Sequence, residues 1–429
     1  MTRQVLVIGG GWAGLAAAVR AVQLGGQVTL LDMAPQLGGR ARSWQDDEGH
    51  WRDSGQHILI GAYRDTLALM RTVGADPTQL LQRLPLTLVD PDGVGLRWPA
   101  KGAPLLAAAR AMASHPRWGW RERWGLAAWG LRQGLRGLQA PPGWTVAQWC
   151  ARLPASVRQE LIDPLCIAAL NTPTATASAA VLMRVLQDAL LRGPGGSDLL
   201  LPAAPLQALL PEPAQRWLTA QGAAVLTGTR AAQLERHPEG WRCGPHQADA
   251  VVLASSATEA ARLTRTLSPA WSAQASALPA EAIATVELLA PGARLPAPMV
   301  ALADGPAQFL FDLGQIDGDA GPRQGRFTAV ASAVAADLAD GLEPVAQRIQ
   351  AQVATQVPAL AHAQRLQAHA DRRATFACTA QLQRPPARIV PGLWAAGDYV
   401  AGPYPATLEA AVQAGLRAAE EAMTHNPRP

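Results

Sequence analysis

Short apolar runs separated by glycine-rich turns set the frame of this chain. Val5 to Ile8 is continuously apolar, the pattern of a strand buried on both faces. From Ala13 to Leu24 the small and apolar residues recur at helical spacing, and Val28 to Leu31, apolar but for Thr29, reads as the next strand. The order strand, turn, helix, strand predicts an α/β unit with parallel strands. Leu393 to Ala396 reads as another strand, followed by a loop and a helix from about Thr407. Ala248 to Ala260 supplies one more strand, and Gly222 to Glu235 reads as a strand pair. Ile58-Leu59-Ile60 is a shorter strand-like run placed directly after a polar cluster, Ser54, Gly55, Gln56 and His57.

The first turn carries Gly9, Gly11 and Gly14 in the spacing G-x-G-x-x-G. The first glycine permits the tight turn, the second lets the backbone approach a pyrophosphate, and the third lets the helix pack against the sheet. Trp12 and Ala13 open the helix, whose free N–H groups and partial positive charge suit phosphate. Asp32 ends the second strand, where a carboxylate accepts hydrogen bonds from ribose hydroxyls. Gly38 and Gly39 remove side chains shortly afterwards, and Arg40 adds a charged fork for phosphate oxygens. Two elements converging on one pyrophosphate favour tightly held FAD over a transient nicotinamide. No second G-x-G-x-x-G is present for a built-in NAD(P)H site. At the far end, Gly397 and Asp398 open the loop, with Asp398 suited to a ribityl or phosphate-linked hydroxyl. A helix beginning at Thr407 and Leu408 directs its N-terminus at the flavin pyrimidine carbonyl, which becomes anionic on reduction.

The expected fold class is α/β. A Rossmann-like FAD-binding domain is assembled from residues 1–95, 196–285 and 386–429. An α+β substrate domain takes the helical, membrane-facing residues 96–195 and the sheet-forming residues 286–385. The 429 residues suffice for two or three domains, and 49% hydrophobic content marks a folded chain. Cys150, Cys166, Cys243 and Cys378 show no metal-ligand spacing, so no metal is expected and free thiols in a reducing cytoplasm are. No signal peptide is read before the first strand, and no apolar run reaches the roughly 18 residues of a membrane span. A net charge of +4 does not imply nucleic acid.

Charge is nevertheless uneven. Between Arg97 and Trp149 there are eight basic residues against Glu122 alone, and seven of the fourteen tryptophans. Trp with Arg suits a bilayer interface, and equally a helical domain with Trp in its core and Arg in solvent. The expectation is lipid contact, hence a cytoplasmic protein peripheral on the inner face of the cell membrane.

The chain resembles the FAD-dependent amine oxidase and phytoene desaturase superfamily. The likeness rests on Gly9-x-Gly11-x-x-Gly14, on Gly38-Gly39-Arg40 and on Gly397-Asp398. Within that superfamily it is similar to the squalene-associated hydroxysqualene dehydroxylases. The narrower likeness is carried by Asp53–Tyr63, Asp163–Ala179, Ser197–Ala223 and Gly402–Gly415. Two positions depart from the pattern: Asp32 replaces the usual Glu, and Ser54 stands where those dehydroxylases usually have Asn. The resemblance implies an isoprenoid lipid substrate and replacement of an allylic hydroxyl by hydrogen, giving squalene and water. It also implies an electron donor for the flavin and an acid to help hydroxide leave.

An apolar isoprenoid offers a single polar handle, so Gln56 and His57 are the candidates that act on it, with Tyr404 as a further proton donor. The competing role has His57 bonding a backbone carbonyl while Gln56, with Gly55, supports the FAD loop. Asp53 reads as a brace for that loop, and Asn171 and Thr172 as lesser lining residues. Amine oxidation typically uses a lysine near the flavin and an aromatic cage. The only lysine, Lys101, lies in the basic stretch, and the only tyrosines are Tyr63, Tyr399 and Tyr404. Carotenoid-type desaturation is the nearer rival, because its substrate is equally apolar.

Overall fold

A computed structural model describes residues 2–47, 49–99, 104–191, 193–318 and 321–424. Lys101 lies outside the described residues.

The apolar runs become the centre of a six-stranded sheet. Its order is Ala224–Leu226, Gln27–Leu31, Gln4–Ile8, Ala250–Leu253, Leu393–Ala395, Arg388–Val390. All neighbours are parallel except the last pair. Gln4–Ile8 therefore lies between the next strand of the chain, Gln27–Leu31, and a distant one, Ala250–Leu253. The connections diverge there, and the crevice beyond its C-terminal end is where such sheets bind ligand. The helix Trp12–Gln23 buries Leu15, Ala16, Ala17, Ala18 and Ala21 against the sheet and the C-terminal helix Leu408–Thr424. Small side chains let the two helices approach: a Cβ on Gly415 would lie 2.1 Å from the Ala13 carbonyl oxygen.

The expected strand pair at Gly222–Glu235 is only half present. Ala224–Leu226 joins the main sheet, whereas Glu235–His237 begins a separate antiparallel sheet with Gly240–Cys243 and His246–Ala248. The intervening Gly228 and Thr229 backbone N–H groups turn back to the Ala34 and Asp32 carbonyls, which ends the strand.

The substrate domain is built on a five-stranded antiparallel sheet in the order Met299–Ala301, Phe309–Asp312, Arg326–Ser332, Ala280–Leu289, Gln364–Phe376. Ala280–Leu289 runs across the expected boundary at 285, so the sheet begins earlier than its sequence pattern suggested. The helix Leu342–Gln356 covers this sheet with Val345, Ala346, Ile349 and Val353. The run after the polar cluster is a strand, Leu59–Ile60, paired with Leu199–Pro202, which also pairs with Leu81–Leu84.

The tryptophans of the basic stretch divide. Trp118 and Trp149 are buried, Trp98 and Trp129 are half-buried, and Trp120, Trp124 and Trp144 are exposed. Among the described residues, no helix is long and apolar enough to cross a membrane.

Candidate active site

The glycines of the first turn fall into two kinds. Gly9 has φ +110°, and a Cβ there would lie 2.5 Å from the Ala254 carbonyl oxygen. Gly14 would place a Cβ 1.8 Å from the Gly9 carbonyl oxygen. Both are glycine because strand, turn and helix close on each other. Gly11 is different. Its backbone is extended (φ −73°), and the nearest atom to a Cβ is Gly39 Cα at 3.7 Å. Nothing in the polypeptide requires glycine at this position, so the space it leaves is kept for something else.

The second glycine turn lies on the first. Gly38 N–H donates to the Gly10 carbonyl at 2.9 Å, and Gly11 and Gly38 form a single parallel bridge. Gly38 (φ +117°) and Gly39 (φ +63°) adopt backbone that side chains resist. The helix Trp12–Gln23 starts with no side-chain cap and no acidic residue in its first turn, which leaves its N–H groups available to an anion. The Trp12 indole donates to the Ala41 carbonyl at 2.9 Å, so its ring pins the chain beyond Arg40. Asp32 accepts from Gly10 N at 2.5 Å and Ala34 N at 2.7 Å. A carboxylate has about four lone-pair positions, so both oxygens retain acceptor capacity.

Arg40 does not stand free as the phosphate fork expected of it. Nη2 meets Asp398 Oδ1 at 2.6 Å and Nη1 donates to the Ala374 carbonyl at 2.6 Å. The carboxylate beside it raises the guanidinium pKa further, so the positive charge is permanent. The pair ties the second glycine turn to the Gly397-Asp398 loop across most of the chain. Beside it, Tyr399 has a buried hydroxyl with no protein partner, and burial raises its pKa, so it remains an O–H donor. Thr407 Oγ1 accepts from Ala410 N at 3.1 Å and caps the C-terminal helix, which begins at Leu408. The buried Glu409 in its first turn accepts from Asp65 N and Thr66 N, joining that helix to Arg64–Thr72.

The polar cluster sits where the flavin segment meets the substrate sheet. Ser54 Oγ donates to the Arg40 carbonyl at 2.5 Å, and His369 Nε2 lies 2.6 Å from the Ser54 carbonyl. Asp53 accepts from Ser43 Oγ and from Leu206 N, and so braces the loop. His57 Nδ1 lies 2.8 Å from the Gly55 carbonyl oxygen. That is the backbone bond of the supporting role, and it fixes the tautomer: Nδ1 carries the proton and Nε2 the lone pair. Burial, with the Arg40 charge adding to it, lowers the His57 pKa, so the neutral form prevails. Neutral His57 in this tautomer accepts a hydrogen bond at Nε2 and does not protonate a leaving group. Gln56 makes only a 3.5 Å approach, Nε2 to the His57 carbonyl. Gly55, like Gly11, is not left-handed, and a Cβ there would meet nothing closer than His57 Cε1 at 3.9 Å.

Other candidates are drawn elsewhere. The Tyr404 hydroxyl donates to the buried Asp188 and accepts from Arg184, whose guanidinium lies over its ring at 5.2 Å. Its proton is therefore held by a carboxylate of the helix Ala179–Leu191, which removes Tyr404 as a free acid. Asn171 and Thr172 are buried ties. Asn171, left-handed at a helix end, bonds Thr375 Oγ1 and Ala333 N, and Thr172 Oγ1 accepts from Cys378 N. Sequence reasoning missed Tyr399 and His369. Tyr399 adjoins the Gly397-Asp398 motif, so proximity could have found it. His369 lies in a strand whose residues are mostly polar, and nothing there sets it apart.

The cradle over Gly11, the uncapped helix start, the orphan Tyr399 hydroxyl and the acceptor at Asp32 together fit a dinucleotide pyrophosphate and its flanking hydroxyls. The fold and site define a flavin-dependent oxidoreductase. The chain belongs to the flavin containing amine oxidoreductase family, whose model matches residues 12–423. Its cofactor is FAD. Two relatives span nearly the whole chain. A hydroxysqualene dehydroxylase of Rhodopseudomonas palustris is 29% identical over 98% of both chains. Another, of Zymomonas mobilis, is 25% identical over 98% of this chain and 99% of its own. A probable zeta-carotene desaturase of Synechococcus elongatus is 37% identical, over 24% of this chain and 22% of its own. The crystal structure of an oxidoreductase from Methanosarcina mazei superposes with a TM-score of 0.73 at 16% identity, covering 97% of this chain and all of that one.

Proposed function

We propose that the protein catalyses reductive dehydroxylation of hydroxysqualene to squalene. The observation that carries this reading is coverage: the likeness to hydroxysqualene dehydroxylases extends over 98% of the chain, substrate domain included. In the net reaction the allylic C–O bond breaks, a C–H bond forms in its place, and hydroxide leaves with a proton as water. FAD, when bound in its reduced form, supplies the hydride; an external electron donor must then restore that form.

The chain's own residues hold the substrate. A squalene-like chain binds by burial, at ~0.8 kcal/mol per methylene. Its isoprene units look alike, so burial alone gives poor registration. Gln56 and His57 supply that registration. The lone pair on His57 Nε2 accepts from the substrate O–H, and the Gln56 amide donates to its oxygen. Gly55 keeps the approach open. His57 thus orients the hydroxyl, and the proton that leaves with hydroxide comes from another donor.

The test is anaerobic incubation of chemically reduced protein with 12-hydroxysqualene, followed by product analysis. Squalene in stoichiometric yield is expected. Failure to form squalene, with desaturation of phytoene by the oxidised protein, would transfer the assignment to the second reading, carotenoid-type desaturation. That reading is supported by the shorter likeness to the zeta-carotene desaturase.

A further inference from the structure

The helix Trp120–Leu135 carries a surface that the flavin chemistry does not use. Its inner side is anchored. Leu126 and Gln133 are buried, Trp149 Nε1 donates to Gln133 Oε1 at 3.1 Å, and Trp129 packs edge-on to Trp149 at 4.6 Å. Its outer side is apolar and uncovered: Trp120, Trp124, Leu131 and Leu135 are 69, 70, 68 and 82% exposed. At 3.6 residues per turn these four positions fall within an arc of about 60°. Ala127 and Ala128, also exposed, continue the same stripe.

The flanks of the stripe are cationic. Arg121, Arg132 and Arg136 lie on one side and Arg123 on the other, all exposed. Arg121 rests over the Trp120 ring at 5.6 Å. The one acid of the helix, Glu122, is turned to the foot of the helix, where it accepts from Gly119 N at 3.0 Å and Ser156 Oγ at 3.3 Å. Arg117, just outside the helix, is paired with Asp90 and is not part of the set.

We propose that this face is an interfacial anchor that lies flat on an anionic bilayer surface, with the Trp and Leu side chains at headgroup depth and the arginines on lipid phosphates. Charge selects this occupant. A second copy docked through the same stripe would bring arginine rows against arginine rows, whereas a bilayer offers apolar depth under the stripe and anionic headgroups beside it. The helix, at ~1.5 Å per residue over 16 residues, is too short and too charged to span.

The experiment is sedimentation of the full chain with its FAD on vesicles of phosphatidylcholine alone or mixed with phosphatidylglycerol. Wild type is expected to bind the mixed vesicles at low salt and to be released at high salt, because exposed charges are screened over about 10 Å at 0.1 M. Trp120→Ser/Trp124→Ser/Leu131→Ser should weaken partition roughly tenfold or more on the mixed vesicles. Arg121→Gln/Arg132→Gln/Arg136→Gln should lose the preference for phosphatidylglycerol. All these side chains are exposed, so both variants should keep the wild-type melting temperature and flavin content. Absence of wild-type binding to mixed vesicles, or equal binding by the apolar variant, overturns the proposal. So does a wild-type dimer in sedimentation velocity that the apolar variant dissolves, which would assign the face to a second copy. Vesicle binding is read without turnover, so its failure and failure of the dehydroxylase reading are separate results.

Discussion

Two glycines of one motif are expected to fail in opposite ways when replaced. Gly14 is packed: a methyl group there would sit 1.8 Å from the Gly9 carbonyl oxygen, well inside contact distance. Gly14→Ala must push the helix Trp12–Gln23 off the strand Gln4–Ile8, an overpacking cost of about 1–3 kcal/mol or more. That is a large part of a typical folding free energy of about 5–15 kcal/mol. Gly11→Val meets no such obstacle. Its backbone (φ −73°, ψ −178°) accepts a β-branched residue, and only Gly39 Cα lies within 4 Å of the new Cβ, at 3.7 Å. The valine methyls would instead occupy the pyrophosphate space. Losing two charge-assisted bonds from backbone N–H to phosphate, at about 1.5–3 kcal/mol each, removes roughly 3–6 kcal/mol of FAD binding. That corresponds to about 10²–10⁴-fold in Kd. The assay compares apoproteins by circular dichroism melting and then titrates each with FAD, following flavin fluorescence. Gly14→Ala should melt several degrees below wild type, and Gly11→Val should melt with wild type and remain colourless at FAD concentrations that saturate it. A Gly11→Val protein that holds FAD as tightly as wild type would refute the cradle. A Gly14→Ala apoprotein as stable as wild type would refute the packing argument.

Three further outcomes are expected. His57→Ala and Gln56→Ala should retain FAD yet slow single-turnover conversion of hydroxysqualene, by roughly a hundredfold in at least one of them. Because burial lowers the His57 pKa, the wild-type rate should stay level as pH falls through about 6.5 and drop only below it; a fall centred on that value would contradict a neutral buried imidazole. His115 is buried against Trp118 at a ring separation of 4.2 Å, and burial lowers its pKa as well. The unfolded chain therefore binds the proton first, so stability falls as pH drops below about 6.5, and His115→Phe should flatten that slope in urea titrations at several pH values. Burial also pushes the Cys150 thiol up to about 12 and Cys378 up to about 11, so iodoacetamide at mildly alkaline pH should leave both unmodified in native protein and label them after denaturation, as intact mass would report.

The nucleotide end was readable because each of its signals is local. Gly9, Gly11 and Gly14 stand within one turn, the apolar run Val5–Ile8 ahead of them is unbroken, and Asp32 ends the next strand. Arg40 shows where locality ends. Its type and position suit phosphate, yet its guanidinium is divided between Asp398 and the Ala374 carbonyl, partners more than three hundred residues away. Tyr404 is the same case. A phenol near the C-terminal helix reads as an available acid until Asp188, from a helix in the substrate domain, engages its O–H as a hydrogen-bond acceptor.

The basic tryptophan stretch was ambiguous for a different physical reason. Arg in solvent and Trp in a core, or Arg and Trp together at a lipid surface, give the same composition, and the stretch holds both buried and exposed tryptophans. What separates them is the phase of one helix. With Gly119 as its N-cap and Glu122 folded back to the cap, Trp120 and Trp124 fall on the outer stripe while Trp129 turns inward to Trp149. Trp118, just ahead of the helix, is buried and donates its indole N–H to Glu160. Moving the helix phase by about 100°, the turn of a single residue, would exchange those roles. The pattern carries no cue strong enough to set that phase, since the apolar residues of this segment occupy both sides of the helix. The core contacts of Leu126 and Gln133 set it, and in doing so they leave two tryptophans and two leucines in one exposed row among arginines.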